Sequence, residues 1–226
     1  MLFRSSLRTG TRADVHGEAF AAHAYWLLGR DDDAQSSCHG AISLARTAGH
    51  PYSLAVALAY GAMTHQMRGH LPGLRDAVAE LRELCERHGF AYYREWALIL
   101  DGWSRPGASG IGLARAGIDH LKSEGSFARM PYWLSLLADL WERDARSDAA
   151  RATLDAALAA GQAYHDLWWL PEVMRMRAAY DDASDSAVAR LGAAARLASA
   201  QGSVALLRRC ERDLAARPSA GVRQVR

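Results

Sequence analysis

The chain has 226 residues, 50% of them hydrophobic, and a formal net charge of +2, which is enough to bury one sizeable core. No apolar run approaches the roughly 20 residues of a membrane span, and the opening MLFRSSLRTG has neither the apolar stretch nor the cleavage pattern of a secretory leader. The charge is uneven: residues 1–13 and 207–226 together carry +7, leaving residues 14–206 at −5, an acidic body unsuited to binding a nucleic-acid backbone.

Residues 1–13 read as a disordered or artefactual tail. Leu-Phe-Arg-Ser at positions 2–5 matches what a common sequencing adapter encodes, so the chain is expected to be a fragment of a longer protein. Residues 14–216 read as one helical domain, and residues 217–226 as a disordered basic tail. Cys38, Cys85 and Cys210 are isolated from one another, without CxxC spacing. They are expected to be buried thiols in a reducing cytoplasm rather than a disulfide or zinc framework.

Within the domain, five segment endings look alike, at Gly49, Gly89, Gly125, Gly161 and Gly202, spaced 40, 36, 36 and 41 residues apart. Each follows an apolar-periodic run, as a left-handed glycine closing a helix should. A polar break divides each interval into two helices: Gly29–Asp33, Arg68–Gly73, Arg105–Gly110, Arg143–Asp148 and Asp181–Ser186. Asp and Ser in these breaks are expected to cap the second helix and favour its positive end. Pro51, Pro131 and Pro171 suit the first turn of the helices that follow. The third and fifth units are short after Trp103 and Tyr180, so their first helices should end early. No segment alternates like a strand. The second helices carry small residues at offsets of four and seven, for example Gly110-Ala114-Gly117 and Ala150-Leu154-Ala157, which allow neighbouring helices to approach closely. Of the adjacent pair Trp168 and Trp169, one is expected to pack between units and the other to be partly exposed.

A period near 36 residues with these positions resembles the tetratricopeptide repeat (TPR). Trp133-Leu134, Leu137-Ala138, Trp141, Ala150, Leu154 and Ala157 fit its motif best, and Ala22, Tyr25, Gly29, Ala34 and Ala41 fit it in the first unit. The resemblance implies an all-α fold, a right-handed α-solenoid of about five antiparallel helix pairs with a C-terminal capping helix. Over about residues 20–205, blocks such as ARTAGHPYSLAVALAYGAMTHQMRG and DLWWLPEVMRMRAAY are also similar to the C-terminal repeats of bacterial adenylate/guanylate cyclase–AAA ATPase or transcriptional-activator signalling proteins. That likeness implies a cytoplasmic regulatory or partner-binding module. The catalytic parts of such proteins have no counterpart here: there is no GxxxxGK[ST] loop and no cyclase segment.

The chemistry-bearing patterns are sparse. His16 and His23 share a helix face but have no third ligand in register. Gly107–Gly112 lacks both the GxGxxG frame and a preceding strand, and reads as a turn. Asp31-Asp-Asp33 reads as helix-terminal charge. The run from Arg75 to Arg87 reads as ion pairs along one solvated helix face. There is no GxSxG elbow. The reading is therefore a non-enzyme without cofactor or metal. In the tetratricopeptide family the first helix of each pair lines the concave face. That correspondence selects His16, His23 and Trp26, then His65 and Gln66, then Trp96 and Trp103, then Tyr132, Asp139 and Arg143, and finally Glu172 and Arg175, as a groove for a protein or peptide segment. The alternative is a small-molecule-sensing helical domain that controls an attached ATPase or cyclase.

Overall fold

The computed structural model describes residues 10–217. Among these residues there are eleven α-helices and no strand. Five pairs follow one another: α1 (Ala13–Leu27) with α2 (Asp31–Ala48), α3 (Pro51–Arg68) with α4 (Leu71–His88), α5 (Ala91–Trp103) with α6 (Gly107–Ser123), α7 (Met130–Arg143) with α8 (Ser147–Ala163), and α9 (Leu170–Arg177) with α10 (Ser184–Ala200). A last helix, α11 (Val204–Ala215), packs on α9 and α10.

The sequence dictates two layers. Helices α3 and α7 are apolar on nearly every side and buried on nearly every side, including Leu58, Met63, Tyr132 and Trp133. Helices α2, α4, α8 and α10 bury one stripe each, such as Ala34, Cys38, Ala41 and Ala45 on α2. A helix buried all round must lie inside, and an amphipathic one outside. The first helices accordingly touch in succession, α1 on α3, α3 on α5, α5 on α7 and α7 on α9, and each second helix also touches the first helix of the next pair.

Small residues set how closely the layers meet. A Cβ built on Gly102 of α5 would lie 2.5 Å from the Gly110 carbonyl oxygen of α6, and one on Gly117 would lie 2.9 Å from the Glu95 carbonyl oxygen. The small-residue stripe of α6 is therefore a backbone-to-backbone contact. Cys38, Cys85 and Cys210 are all buried free thiols.

Several boundaries differ from the sequence reading. Gly49, Gly89, Gly125 and Gly202 do take left-handed φ, between 59° and 72°. Gly161 does not. It lies inside α8, where its missing Cβ makes room for Leu170, and the chain reverses at His165 with φ 52°. Gly107–Gly112 opens α6 rather than forming a turn. Asp31, Asp32 and Asp33 occupy the first turn of α2, where their charge suits the helix dipole, but no side chain caps that helix. The early ends are real: α5 stops at Trp103, and α9 is followed by a 3₁₀ turn at Ala178–Tyr180. The charges between Arg75 and Arg87 reach across helices instead of along one, with Glu80 on Arg46 and Arg82 on Asp101. At the ends, the Arg12 N–H donates to Ser53 Oγ at 3.0 Å and Arg217 donates to the Ala178 carbonyl at 3.1 Å. Arg12 and Arg217 thus both bond to the helical body. The rest of both expected tails lies outside the described residues.

Candidate functional site

The C-terminal ends of α3 and α5, the later part of α7, and α9 converge around a cavity of about 360 Å³. Gln66 comes from α3, Trp103 from α5, Asp139 and Arg143 from α7, and Glu172 and Arg175 from α9; Trp169 and Arg209 of α11 complete the wall. Six of the twelve sequence-selected side chains, Gln66, Trp103, Asp139, Arg143, Glu172 and Arg175, thus share one cavity.

The wall is a chain of satisfied polar contacts. Trp103 Nε1 donates to Asp139 Oδ2 at 2.7 Å, and Arg143 pairs with the same carboxylate. The Arg143 guanidinium also stacks over the Trp103 ring, 4.6 Å from its centre. Glu172 is 4% exposed and accepts from Arg175 Nε at 2.8 Å and from Arg209 Nη1 at 2.7 Å. Burial alone would push this carboxyl upward, but the Arg175 hydrogen bonds and the Arg175 and Arg209 charges hold it below the ordinary range. Arg175 also donates to Asp213 Oδ2 at 2.5 Å. At the back, Tyr132 Oη donates to Gln66 Oε1 at 2.8 Å, and Trp169 Nε1 to Ser135 Oγ at 2.9 Å.

The other predicted groove residues divide. Trp26 and Tyr132 are buried behind the wall, with ring centres 6.0 and 5.1 Å from that of Trp169. A partner could not touch them without opening the core. His16, His23 and Trp96 do not line this cavity: His16 lies 4.5 Å from the Phe20 ring, His23 lies 4.6 Å from Trp168, and Trp96 is 1% exposed. His65 leaves the inner face altogether. Its Nδ1 is 3.4 Å from that of His70, and it borders an outer cleft between α2 and α4. The reason is the helical step of about 100° per residue: with Gln66 facing inward, its neighbour faces the second layer. Trp169 is 2% exposed and Trp168 only partly buried, as the pair was expected to divide.

Two residues escaped the sequence reading. Arg209 sits between the buried Leu206 and Cys210 on α11, and its position on the edge of that apolar face was the available signal. Arg129, which precedes α7, has left-handed φ of 63° and gives no sequence signal.

The site offers charge pairs and stacked indole faces. No nucleophile lies beside a base in it, and among the described residues no three His, Cys, Asp or Glu side chains gather as a metal site would need. No described helix is long and apolar enough to cross a membrane.

No family model matches the chain. It is similar to an uncharacterized protein of Rhizobium meliloti (strain 1021), 25% identical over 213 residues that take in 91% of this chain and 21% of the relative. The chain therefore spans about a fifth of the length of the curated relative it matches.

Proposed function

We propose that this chain is a non-catalytic, tetratricopeptide-like interaction module: a right-handed α-solenoid of five antiparallel pairs, closed by α11, acting as the partner-binding part of a larger bacterial signalling or transcription-regulating ATPase in the cytoplasm. One observation carries this reading. Six of the twelve side chains that repeat register would assign to the concave face line one cavity, and the charges among them are paired, which suits recognition better than proton transfer. Aromatic and arginine side chains of this kind are the usual anchors of protein interfaces. The far greater length of the bacterial relative fits a module within a larger protein. The partner is a protein or peptide segment; nucleic acid, membrane and cofactor have no part in the reading.

The test is a paired substitution at the rim, Trp103→Ala with Arg143→Glu, assayed by binding of the chain to its purified full-length regulator or to a partner identified by cross-linking. Affinity is expected to fall at least tenfold with the circular dichroism spectrum and Tm retained. Undiminished binding by the folded variant would remove the cavity from the account.

A further inference from the structure

The first helices and the loops before α7 and α9 hold a second constellation, centred on Arg129. Its guanidinium lies within reach of four rings: 5.0 Å from the centre of Tyr60, 5.5 Å from Trp96, 5.6 Å from Trp168 and 5.9 Å from Phe20. A guanidinium has five N–H donors. Among the described residues this one spends a single side-chain bond, to Tyr60 Oη at 2.7 Å, and it has no carboxylate partner within ion-pair distance. Other half-buried arginines of the same core behave differently. Arg175 donates through Nε, Nη1 and Nη2, and Arg209 donates through both Nη1 and Nη2. Arg129 is thus held in place by rings, with donors left over.

Three further observations gather at this point. A cavity of about 660 Å³ opens beside Arg129, walled by Tyr60, Tyr92, Phe127, Tyr164 and Trp168, a size suited to a small ligand. Exposed aromatic rings are few: among the described residues, Phe20, Tyr92 and Tyr164 are the exposed ones, at 36–49%, and all three stand around the Arg129 cage or its cavity. Backbone strain is concentrated here too. Of the three described non-glycine residues with left-handed φ, Arg129 and His165 both border this cavity, a conformation that side chains other than glycine adopt at a cost. Such outliers persist where the surroundings impose them.

We propose that this cavity binds a small planar aromatic carboxylate, its carboxylate on the free N–H groups of Arg129 and its ring against Tyr92, Tyr164 and Trp168. The cage already contains a cation supplied by the chain, so a cationic ligand would be repelled, while an anion completes the guanidinium. A carboxylate suits the planar fork because it accepts two parallel bonds. Asp166 also borders the cavity, but its Oδ2 accepts from the backbone N–H of Arg129 at 2.5 Å and makes no ion pair with the Arg129 guanidinium. The proposal goes beyond the partner-binding reading and does not depend on it, because the two cavities share no lining residue.

The test is isothermal titration of the whole chain with 2-naphthoate and with its neutral counterpart 2-naphthalenemethanol. The wild type is expected to bind naphthoate saturably, one to one, with Kd below 1 mM on the order expected of a single charge-assisted site, and the alcohol at least tenfold more weakly. Arg129→Gly removes the guanidinium while keeping a backbone that tolerates φ 63°, and is expected to weaken naphthoate binding at least tenfold. Absence of saturable binding, equal affinity for the alcohol, or a loss below tenfold in folded Arg129→Gly overturns the proposal. Should that variant not fold, Tyr92→Ala with Tyr164→Ala decides by the same tenfold criterion, since both rings are exposed.

Discussion

Arg209 donates to the main-chain carbonyl of Met67 at 3.0 Å, a bond between residues 142 positions apart. It ties α11 to the end of α3, and α11 also meets α1. The same guanidinium holds the buried Glu172 and lies 5.0 Å from the centre of the Trp26 ring. One side chain thus joins the first, second and fifth pairs. Arg209→Met keeps the apolar stem and removes the charge and both bonds. Glu172 retains Arg175, so the expected loss is about 1.5–3 kcal/mol, that of hydrogen bonds to a charged group. Urea unfolding should show a lower midpoint at unchanged slope.

The α5–α6 contact predicts a contrast between glycines. At Gly102 an added methyl would meet the Gly110 oxygen at 2.5 Å and the Ala114 nitrogen at 2.8 Å, both backbone atoms that cannot rotate away. Gly102→Ala should cost about 2 kcal/mol or more through forced separation of the helices. Gly112 lies on the same helix pair with nothing within 4 Å, so Gly112→Ala should stabilise by up to ~1 kcal/mol through helix propensity alone. Thermal melts of the two variants should shift in opposite directions.

These glycines also mark how far sequence pattern reaches. Apolar periodicity and left-handed glycines made the helix pairs legible, because both are local rules. Gly161 was misassigned because it sits in an alanine-rich run that resembles a helix end, while the true reversal at His165 uses a residue with no preference for φ of 52°. Gln66, Trp103, Asp139 and Glu172 line one cavity, whereas His65, a single residue step from Gln66, lines another between α2 and α4. What pattern could not convey was how tightly the inner layer closes. Tyr132 to Gln66 and Arg209 to Met67 join distant units, and such contacts depend on the angle between successive pairs, which no local rule contains.

Acid should destabilise the fold through two neutral histidines. Burial, with the Arg129 charge adding to it, lowers His23 from 6.5 to about 3; burial, then the His70 and Arg68 charges, lowers His65 to about 4. A depressed folded-state value means the unfolded chain binds the proton first. Stability is therefore complete above pH 6.5 and falls as pH drops toward 4, by up to ~1.4 kcal/mol per pH unit for each histidine. His23→Phe should flatten the stability profile between pH 6 and 4 as followed by urea unfolding across ~2 pH units; a profile as steep as the wild type's would count against the assignment.

Asp139 serves two donors of unequal worth. Its bond to Trp103 Nε1 joins α7 to α5 at 2.7 Å and is partly buried, whereas its partner Arg143 is 44% exposed. An exposed ion pair contributes about 0–1 kcal/mol and fades with salt, while a hydrogen bond from a sheltered indole to an ionised acceptor contributes about 1.5–3 kcal/mol. Asp139→Ala should therefore cost more than Arg143→Ala. The cost of Arg143→Ala should shrink toward zero in ~1 M salt, where the Debye length is about 3 Å, and that of Asp139→Ala should largely remain. Proton NMR offers a separate check. The Trp103 indole N–H, assigned by its disappearance in Trp103→Phe, should move upfield and exchange faster in Asp139→Ala but stay near its position in Arg143→Ala. Equal shifts in both variants would mean that the guanidinium, and not the carboxylate, holds the indole at the mouth of the cavity.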